Sequence, residues 1–239
     1  MRSDAISAAQ GAAGSSPRGG WTGGGFGTIR ESGIVKLRWT VANGWKGMGR
    51  QMAKSLAHKF GKGLTPQGFI DAMTKNREAF LAWGEKFAWA DKEDEEFFQE
   101  LNYRDDLRCI ILAADWCGDV VRNVPVVFKV MEKAGIPVEV LIMEQHLDTM
   151  DEFLTMGGRS IPVVIFVDTG GYVLGRWGPR PSYVQEPMVK FKTENKDPAA
   201  PDYQEKLAAA RKEIMARYGE GTEYQQWIVK ELRELISTF

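Results

Sequence analysis

The sequence predicts an α/β fold: an α/β/α sandwich built on a mixed four-stranded sheet, with helical extensions at both ends. The first observation is that apolar runs of strand length alternate with segments of helical periodicity between about residues 105 and 192. The second is that a short turn joins the last two runs, which predicts an antiparallel edge. Strands joined by helices pair in parallel through right-handed crossovers, so we expect the remaining strands to be parallel, with helices on both faces.

Four strands are expected. Residues 108–114 form a nearly continuous apolar run, which is typical of a strand buried on both faces, and residues 137–143 form a second one. A third strand is predicted at 162–167. The sequence Asp-Thr-Gly-Gly at 168–171 is typical of a turn, and a fourth strand at 172–177 is expected to return antiparallel to the third.

Capping residues mark the helix boundaries. Thr65 followed by Pro66 predicts a helix start, with helical apolar spacing that continues to about residue 88. Asp91 is a candidate N-cap for a second helix, and Asp148 for a short helix that ends near residue 156. Gly135 predicts the end of a long central helix. This central helix and three helices in the tail are predicted at about 118–134, 182–191, 203–218 and 223–236.

Composition narrows the possible functions. The chain has 239 residues and a formal net charge of -1, which gives no whole-chain attraction to nucleic acid or to an anionic membrane. No apolar run approaches the roughly 20 residues of a transmembrane helix. The two cysteines cannot form a disulfide framework and are typical of a reducing compartment. We therefore expect a cytoplasmic protein whose partners include neither nucleic acid nor a membrane.

Residues 1–63 differ from the rest of the chain. They carry ten of the 31 Lys and Arg residues and 14 of the 26 glycines. We predict a Gly-rich, basic N-terminal segment that is largely disordered, above all at 11–27, followed by one domain over 64–239. Three interpretations of the segment stay open: an organellar transit peptide, a solvated tail, or translation from an upstream start with Met48 or Met52 nearer the natural beginning. We favour the last two because no Arg-rich amphipathic helix is visible.

The most informative stretch lies between the first predicted strand and the helix that follows it. Its residues are Asp115, Trp116, Cys117, Gly118, Asp119 and Val120. A cysteine at a helix N-terminus faces unpaired backbone N–H groups and the positive end of the helix dipole. Both stabilise the thiolate, the reactive form of cysteine, so we expect Cys117 to be a partly exposed thiol of low pKa.

Four features with matching spacings resemble the thioredoxin superfamily. Cys117, preceded by a tryptophan, ends a buried strand, and Pro125 follows eight residues later, where thioredoxins have a proline that kinks the helix. Ile161 and Pro162 resemble the cis-proline segment that opens the third strand of that fold. The final hairpin with Gly178 resembles the end of the thioredoxin sheet.

This resemblance covers about residues 105–192. The longer run from 65 to 239 resembles bacterial thioredoxin family proteins that carry helical extensions and a Trp-Cys-Gly-Asp motif. The resemblance implies a thioredoxin-like α/β/α sandwich in which Cys117 is the catalytic residue and a cis Pro162 lies beside it. It implies that Ile161 and Pro162 dock the partner. The residues that support the thiol would then be Trp116, which would cover the site, Gly118, Asp119 and Val120.

Two positions depart from the thioredoxin pattern. Thioredoxins read Trp-Cys-x-x-Cys, and the second cysteine position is Val120 here. The buried acid that they place six residues before the first cysteine is Ile111. Without a resolving thiol, a mixed disulfide on Cys117 cannot be released by internal displacement. We expect Cys109 to be a core residue, too far along the strand at about 3.3 Å per residue to pair with Cys117.

Several residues keep two interpretations at this stage. Cys117 is either a nucleophile that forms mixed disulfides or a vestigial cysteine on a fold now used for binding. Asp119 is either a catalytic group or a plain acidic residue in a first helical turn, where its charge would raise the pKa of a neighbouring thiol. Arg122 and Arg159 either attract an anionic thiol or lie on a solvated surface, and we favour the surface role.

Other residue types point away from a metal or cofactor enzyme. His58 and His146 are isolated in the sequence, without partners at ligand spacing, so we predict no metal site and no cofactor. The eight tryptophans are scattered along the chain, and we expect most of them in the core.

Two hypotheses for function follow. The first is a monothiol thioredoxin-like protein in which Cys117 exchanges disulfides with a protein or a low-molecular-weight thiol and an external thiol resolves the adduct. The second is a non-catalytic binding or adaptor protein that keeps the docking groove without the turnover chemistry.

Overall fold

The structure is a computed structural model, and it describes residues 54–239. Several predictions therefore lie outside the described residues. They are the disordered Gly/Ser-rich stretch at 11–27, the transit peptide or solvated tail, and the candidate starts at Met48 and Met52.

The centre of the fold is a mixed four-stranded sheet in the order β2-β1-β3-β4. Its strands are β1 (Leu107–Ala113), β2 (Val138–Ile142), β3 (Val163–Asp168) and β4 (Val173–Trp177). Strand β1 pairs in parallel with β2 and antiparallel with β3, and β4 pairs antiparallel with β3. The predicted mixed sheet and its antiparallel edge are confirmed.

The expectation that β3 runs parallel to β1 is wrong. Leu112 of β1 pairs with Val163, the first residue of β3, so β3 starts at the end of the sheet where β1 and β2 finish. A parallel crossover needs a helix that carries the chain back along the whole strand. The connection from β2 to β3 contains only one four-residue α-helix and one 3₁₀ turn, so the chain stays at the same end and re-enters antiparallel.

Eight α-helices surround the sheet within residues 54–239, together with 3₁₀ turns at Ala57–Lys59, Leu101–Tyr103 and Met143–Gln145. The helices are α1 (Pro66–Ala72), α2 (Arg77–Glu85), α3 (Lys92–Glu100), α4 (Gly118–Ala134), α5 (Leu147–Met150), α6 (Ser182–Glu194), α7 (Tyr203–Tyr218) and α8 (Glu223–Ile236). Three helices therefore precede the sheet and three follow it, as the predicted helical extensions require.

Three of the predicted helix caps are confirmed. The hydroxyl of Thr65 accepts a hydrogen bond from the backbone N–H of Gly68 at 3.0 Å, and the carboxylate of Asp91 accepts one from Glu93 at 2.9 Å. Gly135 ends α4 with φ 64°, in the left-handed region that favours glycine. A Cβ at Gly135 would also lie 2.2 Å from Oδ1 of Asn102, so a larger residue would have to displace that side chain.

Two helix predictions need correction. The helix expected from residue 65 to about 88 is interrupted after Ala72, because Met73 adopts an extended conformation, and it restarts at Arg77 after Asn76, which is left-handed with φ 58°. Asp148 is not a helix cap: α5 starts after His146 and ends at Met150. The Asp148 carboxylate instead accepts a hydrogen bond from Lys59 at 2.6 Å.

The hydrophobic core extends over both faces of β1. Neighbouring side chains of a strand point to opposite faces, and Ile110 and Ile111 are both buried. Helix α4 contacts α2, α3 and α8. Rings of Phe69, Phe80 and Phe128 meet edge to face with centroids 5.8–6.4 Å apart, and so join α1, α2 and α4.

Residues 54–63 pack against the domain, although the sequence placed them in the N-terminal segment. Ser55 forms a β-bridge with Tyr172 at one edge of the sheet, and Leu64 forms one with Val140 at the other. Leu56 between them is fully buried. Ser55 and Leu56 are therefore part of the packed structure, and the boundary at residue 64 stays a prediction.

Most of the described tryptophans lie at the margin of the core, so the expectation that they are mainly core residues is wrong there. Trp177 is buried, whereas Trp116 and Trp227 are about half exposed, at 49% and 48%. Trp83 and Trp89 are partly buried. A position at the margin suits tryptophan, because its ring is apolar while its N–H needs a hydrogen-bond acceptor.

Candidate active site

Cys117 lies directly after β1 and is the N-cap residue of α4. Its backbone carbonyl accepts the first hydrogen bond of the helix from Val121 at 3.0 Å, and its side chain makes no capping hydrogen bond. The residue is partly exposed. The thiol therefore lies at the end of a helix where the first backbone N–H groups have no partner within the helix.

The predicted docking pair lies next to this thiol. The Cys117 Sγ is 3.4 Å from the backbone carbonyl oxygen of Ile161, to which it donates a weak hydrogen bond. Ile161 and Pro162 are buried, and the peptide bond between them is cis. The structure thus brings together two segments that are 44 residues apart in sequence.

The two positions that depart from the thioredoxin pattern are both buried and apolar. Val120, in the first turn of α4, and Ile111, in β1, each have no exposed surface. Neither side chain can accept or release a proton. The site therefore contains one thiol, without a second thiol in the same turn and without a carboxylate at either of these core positions.

The expectation of a low pKa for Cys117 is wrong. Burial raises the pKa of this thiol, and the negative charge of Asp119 raises it further. The backbone N–H groups of Val120 and Asp119 and the positive charge of Arg180 lower it, but the pKa stays above its ordinary value. The sequence shows the helix N-terminus, which favours the thiolate, but it does not show how much surface the folded chain covers.

Asp119 is held by a charged network that sequence reasoning missed. Arg180 donates two hydrogen bonds to the two carboxylate oxygens, at 2.8 and 2.6 Å. The hydroxyl of Tyr218, at the end of α7, donates a third at 2.8 Å. Both partners of the ion pair are largely buried, with side-chain exposures of 15–16%. Asp119 is therefore neither solvated nor a plain helix-start residue.

The network continues into the core through Asn123. Its side-chain amide donates to the Tyr218 hydroxyl at 2.8 Å and to the Pro179 carbonyl at 2.9 Å. Burial, together with the charge of Asp119, raises the pKa of Tyr218 well above its ordinary value, so this hydroxyl keeps its proton. The one sequence signal for Arg180 is its position between two prolines just after the fourth strand, a charge in a rigid turn.

Trp116 and Gly118 form the exposed side of the site. The indole N–H of Trp116 donates to Glu144 at 2.6 Å, which ties the ring to the segment after β2. Gly118 is exposed, and a Cβ there would meet nothing within 4 Å. Its absent side chain therefore leaves the surface beside Cys117 open. The role of Trp116 as a cover stays a prediction.

Asp115 connects the loop before Cys117 to the N-terminal helices. One oxygen of its carboxylate accepts hydrogen bonds from the backbone N–H groups of Thr74 and Lys75, at 2.8 and 2.9 Å, and from the Thr74 hydroxyl at 3.0 Å. Burial raises the pKa of Asp115, but these hydrogen bonds outweigh it and hold the pKa below its ordinary value. The break between α1 and α2 thus provides the donors that fix the loop.

The comparisons with known proteins agree with this geometry. A family model described as Thioredoxin matches residues 63–198, more than half of the chain. This chain belongs to the thioredoxin family. The match includes the Cys117 turn, the segment before β3 and the final hairpin, so the resemblance identified from sequence is confirmed at the level of the family and its fold.

Two solved structures share the thioredoxin-like fold of this chain. One is a protein of unknown function from Pseudomonas aeruginosa, with 17% identity, a TM-score of 0.55, and coverage of 77% of this chain and 98% of the other. The second is an HIV epitope scaffold, with 17% identity, a TM-score of 0.53 and coverage of 78% and 99%. No curated protein matches the sequence.

Arg122 and Arg159, considered from sequence as groups that attract an anionic thiol, contact other side chains instead. The guanidinium of Arg122 stacks on the rings of Trp83 and Tyr218, at 4.6 and 5.1 Å from their centroids. Arg159 pairs with Asp151 through hydrogen bonds of 2.6 and 2.8 Å. Both arginines therefore have structural partners of their own.

Cys109 and the two histidines have surroundings of their own, with His58 in the 3₁₀ turn Ala57–Lys59. Cys109 is buried in β1, where burial raises its pKa far above the ordinary value, and both cysteines are free thiols. His146 lies 3.5 Å from Lys59, and burial with that charge lowers the pKa of His146. Within residues 54–239, no group of three or more His, Cys, Asp or Glu side chains is arranged to hold a metal ion.

Two further findings bear on binding. No helix among the described residues is both long and apolar enough to cross a membrane.

A surface cavity of about 670 Å³ lies between α2, α3 and α4, with Trp89 and Phe87 on its wall, and Cys117 is not part of its lining.

Proposed function

We propose that this thioredoxin-family protein carries out thiol–disulfide exchange through Cys117 as a single active-site thiol. The observation that carries the proposal is the contact between Cys117 and the backbone of Ile161 at the N-terminus of α4. A partly exposed thiol at a helix start, beside a backbone edge, is arranged to meet a disulfide held in extended conformation.

The exchange uses two thiols one after the other, first Cys117 and then an external thiol. The Cys117 thiolate attacks one sulfur of a disulfide, a new sulfur–sulfur bond forms, and the other half leaves as a thiolate that takes up a proton. An external thiol then attacks the mixed disulfide and releases Cys117. One disulfide and one thiol enter, and one disulfide and one thiol leave, so no net oxidation occurs.

An external thiol is needed because no neighbour of Cys117 among the described residues can resolve the mixed disulfide. Val120 occupies the position from which a resolving cysteine would attack, and Cys109 lies inside β1. The partner is a protein or a low-molecular-weight thiol or disulfide, and Ile161 and Pro162 dock it. We place the reaction in the cytoplasm, since both cysteines are free thiols and a reducing compartment keeps them so.

The test is adduct formation by the native protein. It is incubated at pH 8.5 with glutathione disulfide, or separately with bis(2-hydroxyethyl) disulfide, and its intact mass is measured over time. We expect one adduct, absent in Cys117→Ser, retained in Cys109→Ser, and removed by a second thiol. A native protein that forms no adduct at pH 8.5, while the unfolded chain does, would contradict the proposal.

A second candidate function is favoured by one observation. Burial and Asp119 raise the pKa of Cys117, which reduces the thiolate available at neutral pH. A fold that keeps the docking edge without a reactive thiol suits a binding or adaptor protein. In that case Cys117→Ser retains partner binding in full, whereas the exchange hypothesis expects capture of partners to depend on the thiol.

A further inference from the structure

We propose that Arg180 is a positioning residue that sets the reactivity of Cys117 by neutralising Asp119, and that Tyr218 extends this control to helix α7. The inference deepens the proposed function, because it names what regulates the thiol on which that function rests. It requires only that Cys117 titrates in the folded protein, so it can be tested separately from disulfide exchange.

The geometry places a carboxylate and its counter-charge in the helical turn that starts at the thiol. Cys117 and Asp119 are two residues apart at the start of α4, and both are within the first turn or its cap. Arg180 reaches Asp119 from the segment after β4, 61 residues further along the chain. It binds both carboxylate oxygens, and its third nitrogen donates to the side chain of Gln185 at 2.5 Å.

The charges decide the direction of the effect. A carboxylate next to a thiol repels the thiolate and raises its pKa, whereas a guanidinium stabilises it. Because the two side chains are only 15–16% exposed, water screens these charges less than it would at the surface. Asp119 and Arg180 act on Cys117 in these opposite directions. Removing one partner therefore leaves the other charge uncompensated.

Other charged groups near the Cys117 loop have partners of their own. Asp115 accepts hydrogen bonds from Thr74 and Lys75, and Glu144 accepts the indole N–H of Trp116. On α4, Arg122 stacks on aromatic rings. The Asp119–Arg180 pair is the pair that acts on the thiol through the first turn of α4.

Tyr218 brings the C-terminal extension into the same network. It is the last residue of α7, is 2% exposed, and donates to the Asp119 oxygen that also accepts from Arg180. This donor stabilises the Asp119 carboxylate and disperses part of its negative charge. A displacement of α7 would remove the donor, so the extension can change the acidity of Cys117 without touching it.

The experiment measures the pH midpoint of Cys117 alkylation by iodoacetamide in Cys109→Ser protein, together with thiolate absorbance at 240 nm. The variants are Arg180→Gln, Asp119→Asn, the double variant, Arg180→Lys and Tyr218→Phe. Arg233→Gln is the matched control, since it breaks an Arg–Asp pair with Asp94, between α8 and α3. Circular dichroism and a thermal melt check that each variant is folded.

We expect Arg180→Gln to raise the midpoint by about one pH unit, so that alkylation at pH 7 becomes about tenfold slower. Asp119→Asn is expected to shift the midpoint down, and the double variant to return close to the parent. Arg180→Lys keeps the charge and retains most of the parent value. Tyr218→Phe is expected to slow alkylation about two- to threefold, and Arg233→Gln to leave the midpoint unchanged.

The proposal is overturned if folded Arg180→Gln and Asp119→Asn keep the parent midpoint, or shift it in the same direction. If Arg180→Gln does not fold, Asp119→Asn and Arg180→Lys decide: an unchanged midpoint in the first, or a large upward shift in the second, overturns the proposal. Midpoints that move as expected in a protein that forms no mixed disulfide would contradict the proposed function and leave this inference standing. Adduct formation together with unchanged midpoints would support the proposed function and contradict this inference.

Discussion

Cys109 and Cys117 are eight residues apart, yet the fold gives them different chemistry. Cys109 lies inside β1, with 1% of its surface exposed, and pairs with strands on both sides. Cys117 lies just past the end of the same strand, at the first turn of α4. The strand supplies only burial, whereas the helix start also supplies backbone N–H groups, and Arg180 adds a positive charge from the segment after β4. We therefore expect the two thiols to differ in reactivity according to their position before or after the end of the strand.

The two thiols also share a feature. Burial raises the pKa of both, and only Cys117 has groups that oppose the shift. A helix N-terminus alone therefore does not make an acidic thiol. The net effect depends on how much of the thiol is covered and on whether a nearby carboxylate has its own counter-charge.

The largest expected effect is on alkylation. In the native protein, iodoacetamide should label Cys117 at least about a hundredfold faster than Cys109, because the reagent must reach the sulfur and react with its thiolate. The rates are measured from the tryptic peptides by mass spectrometry over a time course at pH 8. In denaturant the two rates should converge. Equal rates in the native protein would remove the distinction between the two sites.

A second prediction concerns the missing resolving thiol. Val120→Cys should produce insulin reductase activity at least about tenfold above that of the parent, because residues three apart on a helix are neighbours. The smaller side chain should cost less than about 1.5 kcal/mol of stability.

The controls separate the new thiol from the change in volume. Val120→Ala shortens the same side chain without adding sulfur, and Cys117→Ser with Val120→Cys keeps only the new thiol. Both should stay at background. High reductase activity in the parent protein would mean that an external thiol resolves Cys117 efficiently, and it would count against the adaptor function.

Much of the fold was predictable from sequence because its signals are local. The apolar run of β1, the Thr65 and Asp91 caps and the Gly135 stop each act within a few residues, and each holds in the structure. The direction of β3 was not predictable in this way. It depends on whether the chain between residues 143 and 162 crosses the sheet, and no local pattern records that.

The site was predictable in part for the same reason. The thioredoxin resemblance pointed to Cys117 and Ile161, which the structure brings within 3.4 Å. Arg180 and Tyr218 were missed because they reach Asp119 from 61 and 99 residues away. A single sequence contains no periodicity or spacing that links such residues to Asp119, whose charge raises the pKa of Cys117.

A third prediction uses the pH dependence of stability. An unfolded cysteine ionises near pH 8.5, while the folded Cys109 keeps its proton to a much higher pH. Above pH 8.5 the folded state therefore binds more protons than the unfolded state, and the free energy of unfolding falls as pH rises. The contribution is complete below pH 8.5 and decreases by up to about 1.4 kcal/mol per pH unit above it.

This slope is measured by urea unfolding between pH 8 and pH 10. Cys109→Ala should remove the contribution of this thiol to the slope, so that the free energy of unfolding falls less steeply with pH than in the parent. The smaller side chain also lowers stability, but by the same amount at every pH, so it does not change the slope. Cys117→Ala should reduce the slope less, since donors oppose the pKa shift of Cys117. Identical slopes for the parent and Cys109→Ala would show that Cys109 ionises alike in both states.

The smallest expected effect tests how the loop before Cys117 is held. Asp115→Asn keeps the shape of the side chain but removes the charge that accepts three hydrogen bonds from Thr74 and Lys75. Hydrogen bonds to charged groups are stronger than neutral ones, and part of this site is open to water, so we expect a loss of about 1–2 kcal/mol in the free energy of unfolding. Asp105→Asn is the matched control, since that acid is exposed. Cys117 alkylation should become faster while Cys109 labelling stays unchanged, because only the loop loses its anchor. A stability equal to that of the parent, with both labelling rates unchanged, would mean that the β1–α4 turn holds Cys117 in place without the N-terminal helices.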